Sequence, residues 1–114
     1  MIYSRSSSRN YRFIERYITD VSRLIGSLDA ESLAVAVSWL RNARDNDNTI
    51  FICGNGGSSS IASQMVVDIV KGASFGRSKR FRMIGLTDNV PTLTAYANDV
   101  GYEHIFVEPL MNFA

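Results

Sequence analysis

Cysteine is almost missing: Cys53 is the only one in 114 residues, so no internal disulfide framework holds this chain. Long apolar runs are missing too. None approaches the roughly 18–20 residues of a membrane span, so no membrane partner is expected. The N-terminal stretch MIYSRSSSRNYRF has arginines but no apolar segment behind them. It does not read as a secretory signal, and the expected location is the cytoplasm. Charge of one sign is lacking as well, with 12 Lys+Arg against 11 Asp+Glu and a formal net charge of +1. A protein held to nucleic acid by bulk charge would show a basic excess, so nucleic acid is not an expected partner. The single histidine, His104, has no cysteine at metal-ligand spacing. It reads as an ordinary histidine rather than a metal ligand or acid–base group.

What remains is an ordinary globular balance, 46% hydrophobic and 20% charged, enough for one core. Residues 1–9 are rich in Ser and Arg, have little to bury and are expected to fray. From Asn10 a helical period sets in: Ile14, Tyr17, Ile18, Val21, Leu24, Ile25 and Leu28 form one apolar stripe. Gly26-Ser27 breaks it. Asp29 is suited to cap a second helix with Leu33, Ala36, Val37, Leu40 and Ala43 inward, while Trp39 lies off that face. Asp45-Asn46-Asp47-Asn48 then turns the chain.

Residues 49–53 (TIFIC) read as a strand buried on both faces. Gly54-Asn55-Gly56-Gly57 and three serines follow, then a helix with Ile61, Ala62, Met65, Val66, Ile69 and Val70 on one side, stopped by Gly72. Residues 81–86 read as a second strand and 91–98 as a helix with Pro91 in its first turn. Two apolar strands joined through a helix predict a parallel βαβ unit. The basic run 77–82 reads as a solvated loop. The tail 101–114 begins a further element, so the expected sheet is incomplete within this chain.

The strand–glycine–helix order carries the chemistry. Glycines let backbone approach a ligand, and the first amides of a helix present the positive end of its dipole, which suits a phosphate or carboxylate. No lysine follows the glycines, and Ser59 stands where a dinucleotide motif needs its third glycine, so neither nucleotide pattern applies. A plain Gly/Ser loop is the alternative. Gln64 and Asp68, four apart, share a helix face. Asp68 reads either as a general base or as a solvated acid near Lys71. Thr87-Asp88-Asn89 lies beyond the end of the second strand, where α/β proteins bind ligands, and also suits a helix cap.

Taken in order, FICGNGGS, the helix with Gln64 and Asp68, LTDN and AYANDVGY resemble the sugar isomerase (SIS) domain, and within it the phosphoheptose isomerase branch. The resemblance runs from about residue 10 to the last residue. It implies an α/β fold with a flavodoxin-like, three-layer αβα parallel sheet of the SIS type, preceded by two N-terminal helices. This chain would then divide into a flexible 1–9, a helical pair 10–48 used for oligomerisation, and the first half of the SIS domain over 49–114. It also implies a homotetramer bundled through the N-terminal helices. The reaction implied is isomerisation of sedoheptulose 7-phosphate to a manno-heptose 7-phosphate, for lipopolysaccharide or capsule. By position, Asn55, Gly56, Gly57 and Ser58 would contact the sugar phosphate, with Thr87, Asp88 and Asn98 shaping the pocket. Asp68 falls at the family's catalytic glutamate, and Gln64 where many members carry a histidine that can bind zinc. No cofactor follows from the motifs, and zinc stays open through Gln64 and Asp68. The family's second serine-rich phosphate loop and its late Gln and His have no counterpart here. Turnover by this chain alone therefore stays open beside a non-catalytic sugar-phosphate-binding or protein-interaction module.

Overall fold

A computed structural model describes residues 6–114, so part of the stretch expected to fray, residues 1–5, lies outside the described residues. The chain divides into two compact units, the first ending at Val35 and the second being Ala36–Ala114. Among the described residues no helix is long and apolar enough to cross a membrane.

Helix α1 is Ser6–Gly26, starting four residues before the apolar period does. Its stripe is regular but uncovered, with Ile14, Tyr17, Ile18, Leu24 and Ile25 all more than half exposed. Helix α2 is Ala30–Asp45. Asp29 caps it as expected: Oδ1 accepts the Glu31 N–H at 3.0 Å, while Oδ2 accepts the Ser32 N–H at 3.3 Å and its hydroxyl at 2.6 Å. The inward face expected for α2 is not realised. The helix has no buried residue, Leu33 and Val37 are exposed, and only Leu40, Ala43 and Arg44 are half-buried. Trp39 is also exposed. The polar turn closes with Asn48 N–H on the Ala43 carbonyl at 2.8 Å and Asp47 at φ 57°.

In the second unit, strands β1 (Thr49–Ile52) and β2 (Arg82–Gly85) pair in parallel, Thr49 opposite Arg82 and Ile52 opposite Gly85. This is the parallel pairing that the βαβ pattern predicts, and it forms an incomplete sheet. β1 is not buried on both faces, however: every residue of it is only half-buried, because a two-stranded sheet leaves an open edge beside each strand.

Helix α3 (Gly57–Val67) packs differently from its apolar pattern. Ala62 is fully buried, Met65, Val66 and Ile69 are half-buried, and Ile61 and Val70 face out. The helix passes into a π turn at Asp68–Gly72, whose wider winding shifts the face that follows. Buried Ser74 fastens that turn to the sheet. Its hydroxyl donates to the Ile69 carbonyl at 2.9 Å and accepts the Phe81 N–H at 3.0 Å, just ahead of β2.

The basic run is anchored rather than free. Lys79 Nζ donates to the Asp45 carbonyl at 3.0 Å, at the end of α2, where a cation meets the negative pole of the helix. Arg44 lies over the Phe81 ring, 5.3 Å from its centroid. Helix α4 is Val90–Asp99, and a 3-10 turn at Tyr102–His104 leads into α5, Val107–Phe113. The core gathers Ala62, Met83, Leu86, Ile105 and Pro109.

Candidate functional site

Parallel strands in register release their following loops at the same end of the sheet. Here the Leu86 N–H bonds the Ile52 carbonyl at 2.9 Å, so the loop after β1 and the loop after β2 start side by side.

The first loop needs its glycines. A Cβ on Gly54 would lie 2.5 Å from the backbone C and O of Ser58, so only glycine lets the chain fold back over itself there. Gly56 sits at φ 56°, ψ −123°, a region closed to other residues. No side chain caps α3. Not all the expected donors are free, however. The Ser58 N–H bonds the Asn55 carbonyl at 3.0 Å and the Ser59 N–H bonds the Gly56 carbonyl at 3.1 Å. The Ser59 hydroxyl also turns inward, donating to the Gly56 carbonyl at 2.7 Å. Asn55, Gly56, Gly57 and Ser58 are exposed to solvent.

The second loop divides its roles. Asn89 is the cap of α4, its Oδ1 accepting the Thr92 N–H at 3.2 Å. Asp88 is thereby released from capping, and its Oδ1 accepts the hydroxyl of Ser63 on α3. The other carboxylate oxygen lies over Gly85, where any Cβ would collide with it. Thr87 Oγ1 is buried with no hydrogen-bond partner. Ser63, which the sequence pattern did not single out, thus joins the helix of the first loop to the acid of the second. A serine two positions before the next core-facing residue of α3, Met65, carries no signal of such a partner 25 residues away.

Gln64 and Asp68 meet as their spacing requires, Gln64 Nε2 donating to Asp68 Oδ1 at 3.0 Å. With Ser60, Ile61 and Met65 they line an open groove of about 330 Å3. The pair does not fit zinc, which takes four ligands. One carboxylate and an amide turned as a donor toward it fall short, and among the described residues no three His, Cys, Asp or Glu side chains converge. Asn98 stands apart from the loop at the start of its helix, nine residues or about 13 Å along α4 from Asn89. Its amide donates to Asp99 at 2.7 Å. His104 Nδ1 lies 3.4 Å from Glu108 Oε1, an approach without hydrogen-bond geometry. Cys53 is exposed at the mouth of the first loop.

A family model described as SIS domain matches residues 15–112. Phosphoheptose isomerase of Helicobacter pylori is 38% identical over 76 residues, covering 67% of this chain and 39% of that protein. Phosphoheptose isomerase of Pseudoalteromonas atlantica is 34% identical over 100 residues, covering 79% and 46%. Lincomycin biosynthesis protein LmbN of Streptomyces lincolnensis is 28% identical over 95 residues, covering 83% and 34%. Among solved structures, phosphoheptose isomerase of Neisseria gonorrhoeae superposes with a TM-score of 0.74 at 23% identity, over 95% of this chain and 55% of that one. The chain thus spans about half, or less, of the length of the proteins it matches.

Proposed function

The chain belongs to the SIS domain family, and we propose that it furnishes the sugar-phosphate-binding first half of a phosphoheptose-isomerase-like site. The observation that carries this reading is the Ser63–Asp88 hydrogen bond, which holds the glycine loop's helix against the loop after β2. In this reading the sugar phosphate lies over Asn55, Gly56, Gly57 and Ser58, with Thr87 and Asp88 on its hydroxyls and Asn98 at the margin. The substrate is sedoheptulose 7-phosphate, and the product a manno-heptose 7-phosphate for cytoplasmic heptose synthesis toward lipopolysaccharide or capsule.

Isomerisation removes a proton from C1 of the ketose and returns one to C2, while the hydroxyl proton moves from O1 to O2. Asp68 is the base that takes and returns the carbon-bound proton, and Gln64, hydrogen-bonded to it, holds the carboxylate. Backbone amides of the glycine loop, at the start of α3, bind the anionic group of the sugar phosphate. A second copy of the chain covers the apolar stripe of α1, in keeping with its exposure.

Calorimetric titration with sedoheptulose 7-phosphate beside a turnover assay tests the reading. Asp68→Asn should leave binding nearly unchanged and lower turnover by about 10²–10⁴-fold, the usual worth of a positioned acid or base. Unchanged turnover in that variant removes Asp68 from the mechanism. Binding without any turnover in the parent chain favours the second reading, a non-catalytic sugar-phosphate-binding module.

A further inference from the structure

Ser63 belongs to neither loop, yet its hydroxyl lies where the helix of the first loop meets the second. It is half-buried on α3, six residues beyond Gly57, or about 9 Å along the helix axis. That hydroxyl has one proton and faces two acceptors: the Ser59 carbonyl one turn back, at 3.1 Å, and Asp88 Oδ1. A serine inside a helix ordinarily directs its proton to the carbonyl four residues back. Here the carboxylate is both the nearer and the charged acceptor. A charge-assisted hydrogen bond is roughly twice as strong as a neutral one, so the proton goes to Asp88.

The carboxylate it reaches has little else to hold it. Asp88 is exposed, and among the described residues no cation pairs with it. An exposed carboxylate of this kind is free to move among several rotamers. Two features select one of them. Ser63 grips Oδ1, and the missing Cβ of Gly85 leaves room for the other oxygen.

We propose that Ser63 is a positioning residue for sugar recognition: by holding Asp88 Oδ1, it presents the remaining lone pairs of the carboxylate to the hydroxyls of a sugar phosphate. The inference rests on the sugar-phosphate reading and adds to it a residue that touches no ligand itself. An ionised carboxylate only accepts, so the positions that Ser63 leaves open suit hydroxyl donors. A side chain fixed before binding need not be ordered by the ligand, which is how preorganisation strengthens affinity. The set-back of about 9 Å between the start of α3 and Ser63 also bears on the class of ligand. It suits a phosphorylated chain with several carbons between its phosphate and the hydroxyls that Asp88 receives.

The test is a double-mutant cycle on the full chain. Affinity for sedoheptulose 7-phosphate is measured by calorimetric titration, and stability by urea unfolding. Ser63→Ala should weaken binding by about tenfold, the scale of one hydrogen bond to a charged group. Ser63→Thr keeps the hydroxyl and should restore affinity to within about twofold of the parent. In an Asp88→Ala background, Ser63→Ala should cost nothing further, because the group it positions is already gone. A serine with a merely structural role would weaken binding by the same factor in both backgrounds and lower the urea midpoint with it. Equal affinity of Ser63→Ala and the parent overturns the proposal, and so does a loss that persists when Asp88 is Ala. Failure of the parent itself to bind overturns the sugar-phosphate reading and this inference with it, so binding by the parent tells the two failures apart.

Discussion

Helix α1 and the second unit use the same kinds of apolar residue to opposite effect. In α1, Ile18 is 58% exposed within a stripe whose spacing is regular throughout. In the second unit, Ile105 is 2% exposed although it sits at the end of a 3-10 turn with no periodic neighbours. Periodicity decides which face of a helix is apolar. Burial depends on what other element reaches that face, and the two are separate questions.

The largest effect that separates them is Ile105→Ala. Removing a fully buried Ile side chain leaves a cavity, and the expected cost is about 2–4 kcal/mol, read from urea unfolding of the second unit. A loss under about 1 kcal/mol would mean that the site collapses around the cavity, and that Ile105 is less of a centre than its burial indicates.

Much of the fold was legible in local patterns. The two strands, the glycine turn, the Asp29 cap and Pro91 in the first turn of α4 each follow from a few adjacent residues. The contacts that assemble the site were not. Ser63 to Asp88 spans 25 residues, and Ser74 ties Ile69 to Phe81 through one hydroxyl, so a serine's partner is set by tertiary approach and not by neighbours in sequence. The π turn likewise gives no signal in residue type, yet it ends the expected α3 face at Val67. Pairing of Gln64 with Asp68 was readable because helix geometry alone puts them together.

Acid sharpens the comparison through two carboxylates, one before α2 in the first unit and one at its end in the second. Asp29 is held below the ordinary Asp pKa, first by the Ser32 hydroxyl and then by the N–H groups of Glu31 and Ser32. Asp45 is lowered first by its hydrogen bond to Arg44, with the charges of Arg44, Lys79 and Arg41 adding to it. Because folding lowers both values, their contribution is complete above the unfolded Asp pKa of about 3.9 and drains away as pH falls through the folded values. Helical circular dichroism should therefore fall on acidification below that point. Asp29→Asn keeps an oxygen at the cap but removes the titrating group, so the acid limb from this end of α2 should flatten. An unchanged acid limb would place the acid sensitivity elsewhere.

The smallest expected effect makes the sharpest contrast, because it applies the same chemical deletion to α1. Ile18→Ala removes the atoms that Ile105→Ala removes, but from a side chain already more than half in water, so little transfer energy and no cavity are at stake. Ala is also the better helix former, by a few tenths of a kcal/mol. In dilute protein the variant should unfold within about 0.5 kcal/mol of the parent, the range of ordinary surface substitutions. On the proposal that a second copy covers α1, it should also lower the self-association measured by sedimentation, since the stripe then has a partner to lose. A loss above about 2 kcal/mol in dilute monomer would show that Ile18 is buried within the chain. The contrast between a covered core and an uncovered stripe would then be gone.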